Sequence, residues 1–217
     1  MPAPNAAMLF SIAHSSEMMN QNPQAVQKLA KAISNVIADA CADFLTRVSM
    51  SPGVPCSIMP PPAMVGNVIG IGKLIGVPPT EIEIKMKAMS AIAGSGLSRP
   101  SQNMFAETIS KQTAMGLASF MQNAQVLPGT TIANGVTVSP AKLLVPLQPI
   151  KAQFAMQTQM KIPGAPVVSS VSELPSDFTQ LVFKVLFFAL EQMASLVMVA
   201  PGIPAAGNTT VGSGRLM

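Results

Sequence analysis

The sequence predicts an α+β fold, mainly α with short β segments and an internal duplication, on three observations. Long stretches place apolar residues at three- and four-residue steps, the signature of helices with one buried face. The two clearest of these run into proline-glycine turns, SPGVP at 51–55 and APGIP at 200–204. Each turn is followed by a glycine-spaced end, GNVIGIGKLIG at 66–76 and GNTTVGSGRLM at 207–217. The order of helix, PGxP turn, spacer and Gly-rich arm thus occurs twice, as expected of a repeated supersecondary unit. Gly70, Gly72, Lys73 and Leu74 stand against Gly212, Gly214, Arg215 and Leu216, and Gly66-Asn67 against Gly207-Asn208, with one extra residue in the second copy. LPGTT at 127–131 and IPGAP at 162–166 echo the turn without the glycine signature. On this basis the chain divides into an N-terminal segment (1–22), a first copy with a strand segment (23–100), a middle helix with an extended proline-rich region (101–175) and a second copy (176–217).

The first helix spans 23–48. Asn22 is a suitable N-cap and Pro23 a suitable first residue. Leu29, Ile33, Ile37, Cys41, Phe44 and Val48 line one side, and Lys28, Lys31, Asn35, Asp39, Asp43 and Arg47 the other. Asp39 and Asp43 lie one turn apart, but no His, Cys or further acid joins them, so they read as a solvated face. Residues 77–90 change period: Ile82, Ile84 and Met86 alternate with Glu81, Glu83, Lys85 and Lys87, which predicts a half-buried strand. GSGLSRPS at 94–101 is a loop, and a helix over about 102–125 follows, with Phe105, Ile109, Leu117 and Phe120 on its apolar side. Residues 126–171 predict short strands, with a hairpin-type Asn134-Gly135 and a second alternation over 154–162.

Residues 177–199 form the most apolar segment. A membrane span needs about 20 mainly apolar residues, and Lys184, Glu191 and Gln192 interrupt this one. A central charge costs about 2.5–3.5 kcal/mol on insertion, so the segment reads as a helix buried at a subunit interface. Insertion into a bilayer is the alternative.

Composition points the same way. Charged residues make up 10% of the chain against roughly 25% in typical soluble domains. Hydrophobic residues make up 49%, with 17 Met, no Trp or Tyr and a single His. So little polar surface predicts that much of the chain is covered by other subunits, in a homo-oligomer. The net charge of +4 comes from scattered lysines (Lys28, Lys31, Lys85, Lys87, Lys111, Lys184), without the clustering or stacking aromatics of a nucleic-acid site. Cys41 and Cys56 form no metal pattern, and nothing in their spacing demands a disulfide. The N-terminus lacks a basic n-region and a continuous apolar core, so no secretory signal is expected.

GNVIGIGKLIG resembles a phosphate-binding loop only in part. G-x-x-x-x-G-K-[ST] needs a glycine where Asn67 stands and a hydroxyl where Leu74 stands, so the magnesium ligand is missing. His14 has no acid or thiol near it at nucleophile spacing. No metal, cofactor or catalytic constellation is indicated, and the chain reads as non-enzymatic.

APGIPAAGNTTVGSGRLM at the C-terminus, with SPGVPC and VGNVIGIGKLIG earlier, resembles segments of virion structural proteins of tailed bacteriophages and related contractile injection machines. The resemblance covers about a quarter of the chain; the first copy lacks the Thr-Thr of the second. It implies a tail, baseplate or neck component of a virion, assembled in the host cytoplasm with other structural proteins of the same particle. On the apolar helix, Phe183, Phe187, Phe188, Leu190, Met193 and Leu196 are the expected interface residues. On the C-terminal arm they are Pro201, Gly202, Ile203, Gly212, Gly214, Arg215 and Leu216, with the arm free to add to a neighbour's sheet edge.

Overall fold

Three long helices each carry one apolar stripe, and the stripes meet. In the computed structural model, which describes residues 3–14, 23–93, 95, 98–158 and 174–217, these are α2 (Pro23–Arg47), α4 (Arg99–Asn123) and α6 (Leu174–Leu196). Ile33, Ile37, Cys41 and Phe44 are buried on α2, Ile109, Thr113, Leu117 and Phe120 on α4, and Val182, Leu186, Leu190 and Met193 on α6. Each set recurs at three- and four-residue steps, so one helical face is removed from water over three turns. Phe44 and Phe120 meet edge to face with ring centroids 5.8 Å apart. A shorter helix precedes each long one: α1 (Ala6–His14), α3 (Glu81–Ile92) and α5 (Gln148–Thr158). Each short helix packs on its own long helix and on the long helix of the preceding set: α3 on α4 and α2, α5 on α6 and α4, α1 on α2 and α6.

Four short strands follow each long helix. They are β1 (Val48–Met50), β2 (Cys56–Ile58), β3 (Gly66–Val68) and β4 (Gly72–Gly76) after α2. After α4 come β5 (Gln125–Val126), β6 (Thr131–Ala133), β7 (Val136–Thr137) and β8 (Ala141–Leu144). After α6 come β9 (Met198–Val199), β10 (Ala205–Ala206), β11 (Thr209–Thr210) and β12 (Gly214–Arg215). The first and last strands of each set form one antiparallel sheet in the order β12-β1-β4-β5-β8-β9. A Val199–Leu216 bridge and reciprocal 2.9 Å bonds between Met198 and Met217 join β9 back to β12. That sheet is therefore a six-stranded barrel. The middle strands make a second ring: β2-β3-β6-β7 is completed by the β10-β11 hairpin through bridges Val136–Pro204 and Pro55–Thr209. Closure removes the open edges that sheets otherwise present for unwanted pairing.

The three sets make the same bonds. Gly53 N–H donates to Thr210 O, Gly129 N–H to Val68 O and Gly202 N–H to Thr137 O, at 2.7, 2.8 and 2.7 Å. In return Thr210 N–H donates to Val54 O, Val68 N–H to Thr130 O and Thr137 N–H to Ile203 O, at 2.9, 2.9 and 3.0 Å. Each reciprocal pair joins one set to the set before it, the first to the third included. The sets are three geometric modules about a pseudo-three-fold axis running between the long helices and through both rings.

Three sequence expectations change. Residues 81–92 are helix α3, not a strand. Its N-terminus is closed by a capping box in which the Thr80 hydroxyl accepts from Glu83 N–H and the Glu83 carboxylate accepts from Thr80 N–H. Ile84, Ala88 and Ile92 are its buried residues, an i, i+4, i+8 stripe hidden beneath the Ile-Glu alternation. The alternation from Phe154 also begins inside a helix, α5; residues 159–173, including IPGAP, lie outside the described residues. The Gly-Asn match is a coincidence of register: residues 59–65 join β2 to β3, whereas Gly207 and Asn208 alone join β10 to β11. The Asn134-Gly135 hairpin is as expected, with φ of 52° and 73° at the two turn residues.

Candidate functional site

The glycine-lysine stretch is a strand junction. Residues 66–76 contribute β3 and β4, and Lys73 lies within β4 opposite Gln125 of β5. A phosphate loop places its lysine at a helix N-terminus, whereas the next helix here begins at Glu81. The first glycine is needed for close approach. A Cβ at Gly70 would lie 2.4 Å from Pro55 Cδ, and one at Gly212 2.8 Å from Pro204 Cδ. In the middle module Thr131 and Ser139 replace this Pro and Gly, and Thr131 N–H donates to Ser139 Oγ at 3.1 Å. Proline pressed on glycine and threonine bonded to serine are two solutions to one contact.

Strand alternation then decides what the barrel shows to solvent. Gly72, Leu74, Ala141, Leu143, Gly214 and Leu216 are buried, while Lys73, Lys142 and Arg215 are exposed. The pairing register sets each cation in a cross-strand row on the outer wall. Arg215, Ser49 and Ile75 form one row, Lys73, Gln125 and Leu144 the second, and Lys142, Met198 and Met217 the third. Neighbours in such a row have Cβ atoms about 4.5–5.5 Å apart. The apolar ends Ile75, Leu144 and Met217 are 43, 50 and 37% exposed. None of the three cations has an ion-pair partner among the described residues.

Arg47, Lys85, Lys87 and Lys151 on the helices are tied into the fold, while Lys28, Lys31, Arg99, Lys111 and Lys184 are exposed without a described ion pair. Arg47 donates to both oxygens of Glu83 at 2.9 Å, and Lys87 pairs with Asp43 at 2.6 Å, which together clamp α3 onto α2. Lys85 pairs with Glu107 at 3.2 Å, joining α3 to α4. Lys151 lies 3.7 Å from Glu191 and 4.2 Å above the Phe187 ring, joining α5 to α6. The Thr80 backbone N–H, then the Arg47 guanidinium, hold the Glu83 carboxyl below the usual carboxylate range.

The residues expected at an interface fall into two groups. Phe187, Leu190 and Met193 are buried inside the chain, and Phe183 and Phe188 are half-buried. Phe183 packs on Phe154 at 4.9 Å and on Phe187 at 5.9 Å. Leu196 is exposed at the end of α6. Residues 201–217 are not a free arm, because β10–β12 complete both rings. Pro201 and Gly202 are exposed, Ile203, Gly214 and Leu216 are buried, Gly212 is partly covered, and Arg215 stands on the wall. The helix 178–196 meets the length and composition of a membrane span, yet its apolar face packs on α1, α2, α4 and α5.

Cys41 is fully buried between the helices, where the loss of water pushes its thiol up to about 12. Cys56 is buried in the second ring, its thiol donating to Val54 O at 3.3 Å and likewise pushed up by burial. Both are free, and neither carries the thiolate character of a nucleophile. His14 closes α1. Among the described residues no three His, Cys, Asp or Glu side chains gather as metal ligands. Sequence reasoning missed Lys142 and Leu144 of the wall. Their signal was AKLL at 141–144, which matches GKLI and GRLM once glycine is not required. No protein-family model, curated protein sequence or solved structure matches this chain.

Proposed function

We propose that the chain is a non-enzymatic structural subunit of a multi-protein particle, a tail, baseplate or neck component of a virion, and that its three modules descend from a duplicated helix, PGxP turn and Gly-rich strand unit. The observation that carries this reading is the barrel wall, where one chain presents the same cation-to-apolar row three times. A catalytic centre needs convergent, dissimilar groups; three equal rows spaced about an axis suit repeated contacts with neighbours. The ion pairs described above act between helices, and the two thiols are buried inside the fold. Insertion of 177–199 into a bilayer is less favoured, because exposing that face would strip α1, α2, α4 and α5 of their packing. Density-gradient fractionation of cells expressing the native gene cluster tests the proposal. The protein is expected to sediment with assembled particles. Recovery only as a free 22.5 kDa species overturns it.

A further inference from the structure

We infer that the barrel wall seats a trimeric partner: three copies of one other chain, arranged about the pseudo-three-fold axis, each laying a carboxylate and an apolar side chain on one row. The inference rests on the reading of the chain as an assembly subunit and names what its wall binds.

Equivalence is the first ground. Lys73, Lys142 and Arg215 occupy the same register position in the three modules, each opposite the second-last residue of a neighbouring module's strand or its counterpart: Gln125, Met198 and Ser49. The apolar ends of the rows recur as Ile75, Leu144 and Met217. A second apolar set recurs at the junction of the two rings, where Ile69, Val138 and Val211 are 60, 53 and 57% exposed. A monomeric partner has no reason to meet three equal patches facing outward around one ring, whereas a trimer presents three equal faces by symmetry.

Charge is the second. The chain has 13 Lys and Arg against 9 Asp and Glu, and the helical cations Arg47, Lys85, Lys87 and Lys151 are paired with acids. The wall cations face solvent without a described acid, as Lys28, Lys31, Arg99, Lys111 and Lys184 on the helices also do. Only the wall cations recur at one register position in all three modules, so the surface that meets them carries carboxylates. A second copy of this chain does not supply them in three-fold array. Counted back from the barrel strands, the positions equivalent to Asp43 are Ser119 and Gln192.

Size is the third. One row of three side chains falls far short of the roughly 1,600 Å² of a stable interface. Three rows engaged by linked chains act together, since each contact raises the effective concentration of the next.

Zero-length carbodiimide coupling on particles isolated from cells expressing the native gene cluster tests this. Lys73 and Lys142 of the full-length chain are expected to couple to the same Asp or Glu of the same protein. Native mass spectrometry of the released complex is expected to show three copies of that protein per chain. The variant Lys73→Glu/Lys142→Glu/Arg215→Glu, checked for an unchanged melting temperature, is expected to bind at least ~100-fold more weakly, because like charges then meet at three places. Coupling of the two lysines to different proteins, to a single-copy protein or to nothing in particles that contain the chain overturns the trimer and leaves the structural role standing. Absence of the chain from particles together with absence of any three-to-one complex overturns both.

Discussion

Val199 and Leu216 are bridge partners, and their pairing turns a six-stranded sheet into a barrel. Leu216 is buried there beside Gly214, so the last strand is structural. Leu216→Ala is expected to cost about 2–5 kcal/mol through lost burial and the cavity left behind. In a chain of this size that lowers the melting temperature by roughly 2–4 °C per kcal/mol. Deleting residues 212–217 is expected to abolish the cooperative melt in scanning calorimetry. A truncated chain that melts like the full one would mean that the ring does not hold the fold.

Thr113 stands in α4 where α2 and α6 carry Ile37 and Leu186, and its fully buried hydroxyl has no hydrogen-bond partner. Burying such a group without a bond costs about 1–3 kcal/mol. Thr113→Val keeps the shape and removes the hydroxyl, so chemical denaturation is expected to show a gain of about 1 kcal/mol. Thr113→Ser keeps the unpaired hydroxyl and loses a methyl, and is expected to destabilise. Equal effects of the two changes would refute the assignment.

Residues 77–80 carry the chain from β4 to α3 and residues 145–147 carry it from β8 to α5. The equivalent link in the third module would run from Met217, the counterpart of Ile75 and Leu144, to α1. Joining Met217 to Ala3 through a polar linker as long as residues 77–80, and opening the chain within 145–147, is therefore expected to give a circular permutant with near-native circular dichroism. Opening it within α4 is not. Tolerance of both cuts, or of neither, counts against the cyclic arrangement.

Gly70 is closed off by the Pro55 ring, which has little freedom to retreat. Gly70→Ala is expected to cost about 1–3 kcal/mol by overpacking. Lys73→Ala, on the exposed wall, is expected to change stability by less than about 0.5 kcal/mol, and ATP is expected to leave the melting temperature of the wild type unmoved. A rise with ATP that is lost in Lys73→Ala would restore the phosphate-loop reading.

Glu83 gives a pH dependence whose sign follows from its partners. Its carboxyl is held below the unfolded value of 4.5. Its contribution is thus present above that value and lost as pH falls through the lower, folded one. Glu83→Gln is expected to lower the melting temperature at neutral pH and to converge on the wild type in acid. Parallel melting curves across the whole pH range would show that the Arg47 clamp and the capping box carry no linkage. The effect is modest, since both side chains are partly in water.

Much of this architecture was legible locally. The stripe on residues 23–48 and the Asn134-Gly135 hairpin were readable because helical periodicity and turn chemistry act over a few residues. The likeness of 52–76 to 201–217 was readable because the same proline-on-glycine contact needs the same residues at both places. The middle module was harder to see, since Thr131 and Ser139 meet that contact with a hydrogen bond. Helix α3 was misread because Ile82, Ile84 and Met86 satisfy a two-residue period, while the Thr80–Glu83 capping box and the packing of Ile84 and Ala88 on neighbouring helices favour the helix. The wall rows were invisible, because Arg215 meets Ser49 only through pairing across the whole length of the chain. Sequence alone determined which segments have an apolar face and where the chain turns. Tertiary structure decided what those faces meet, and ring closure, a long-range pairing that no local pattern encodes, set Lys73, Lys142 and Arg215 at equal stations on one surface.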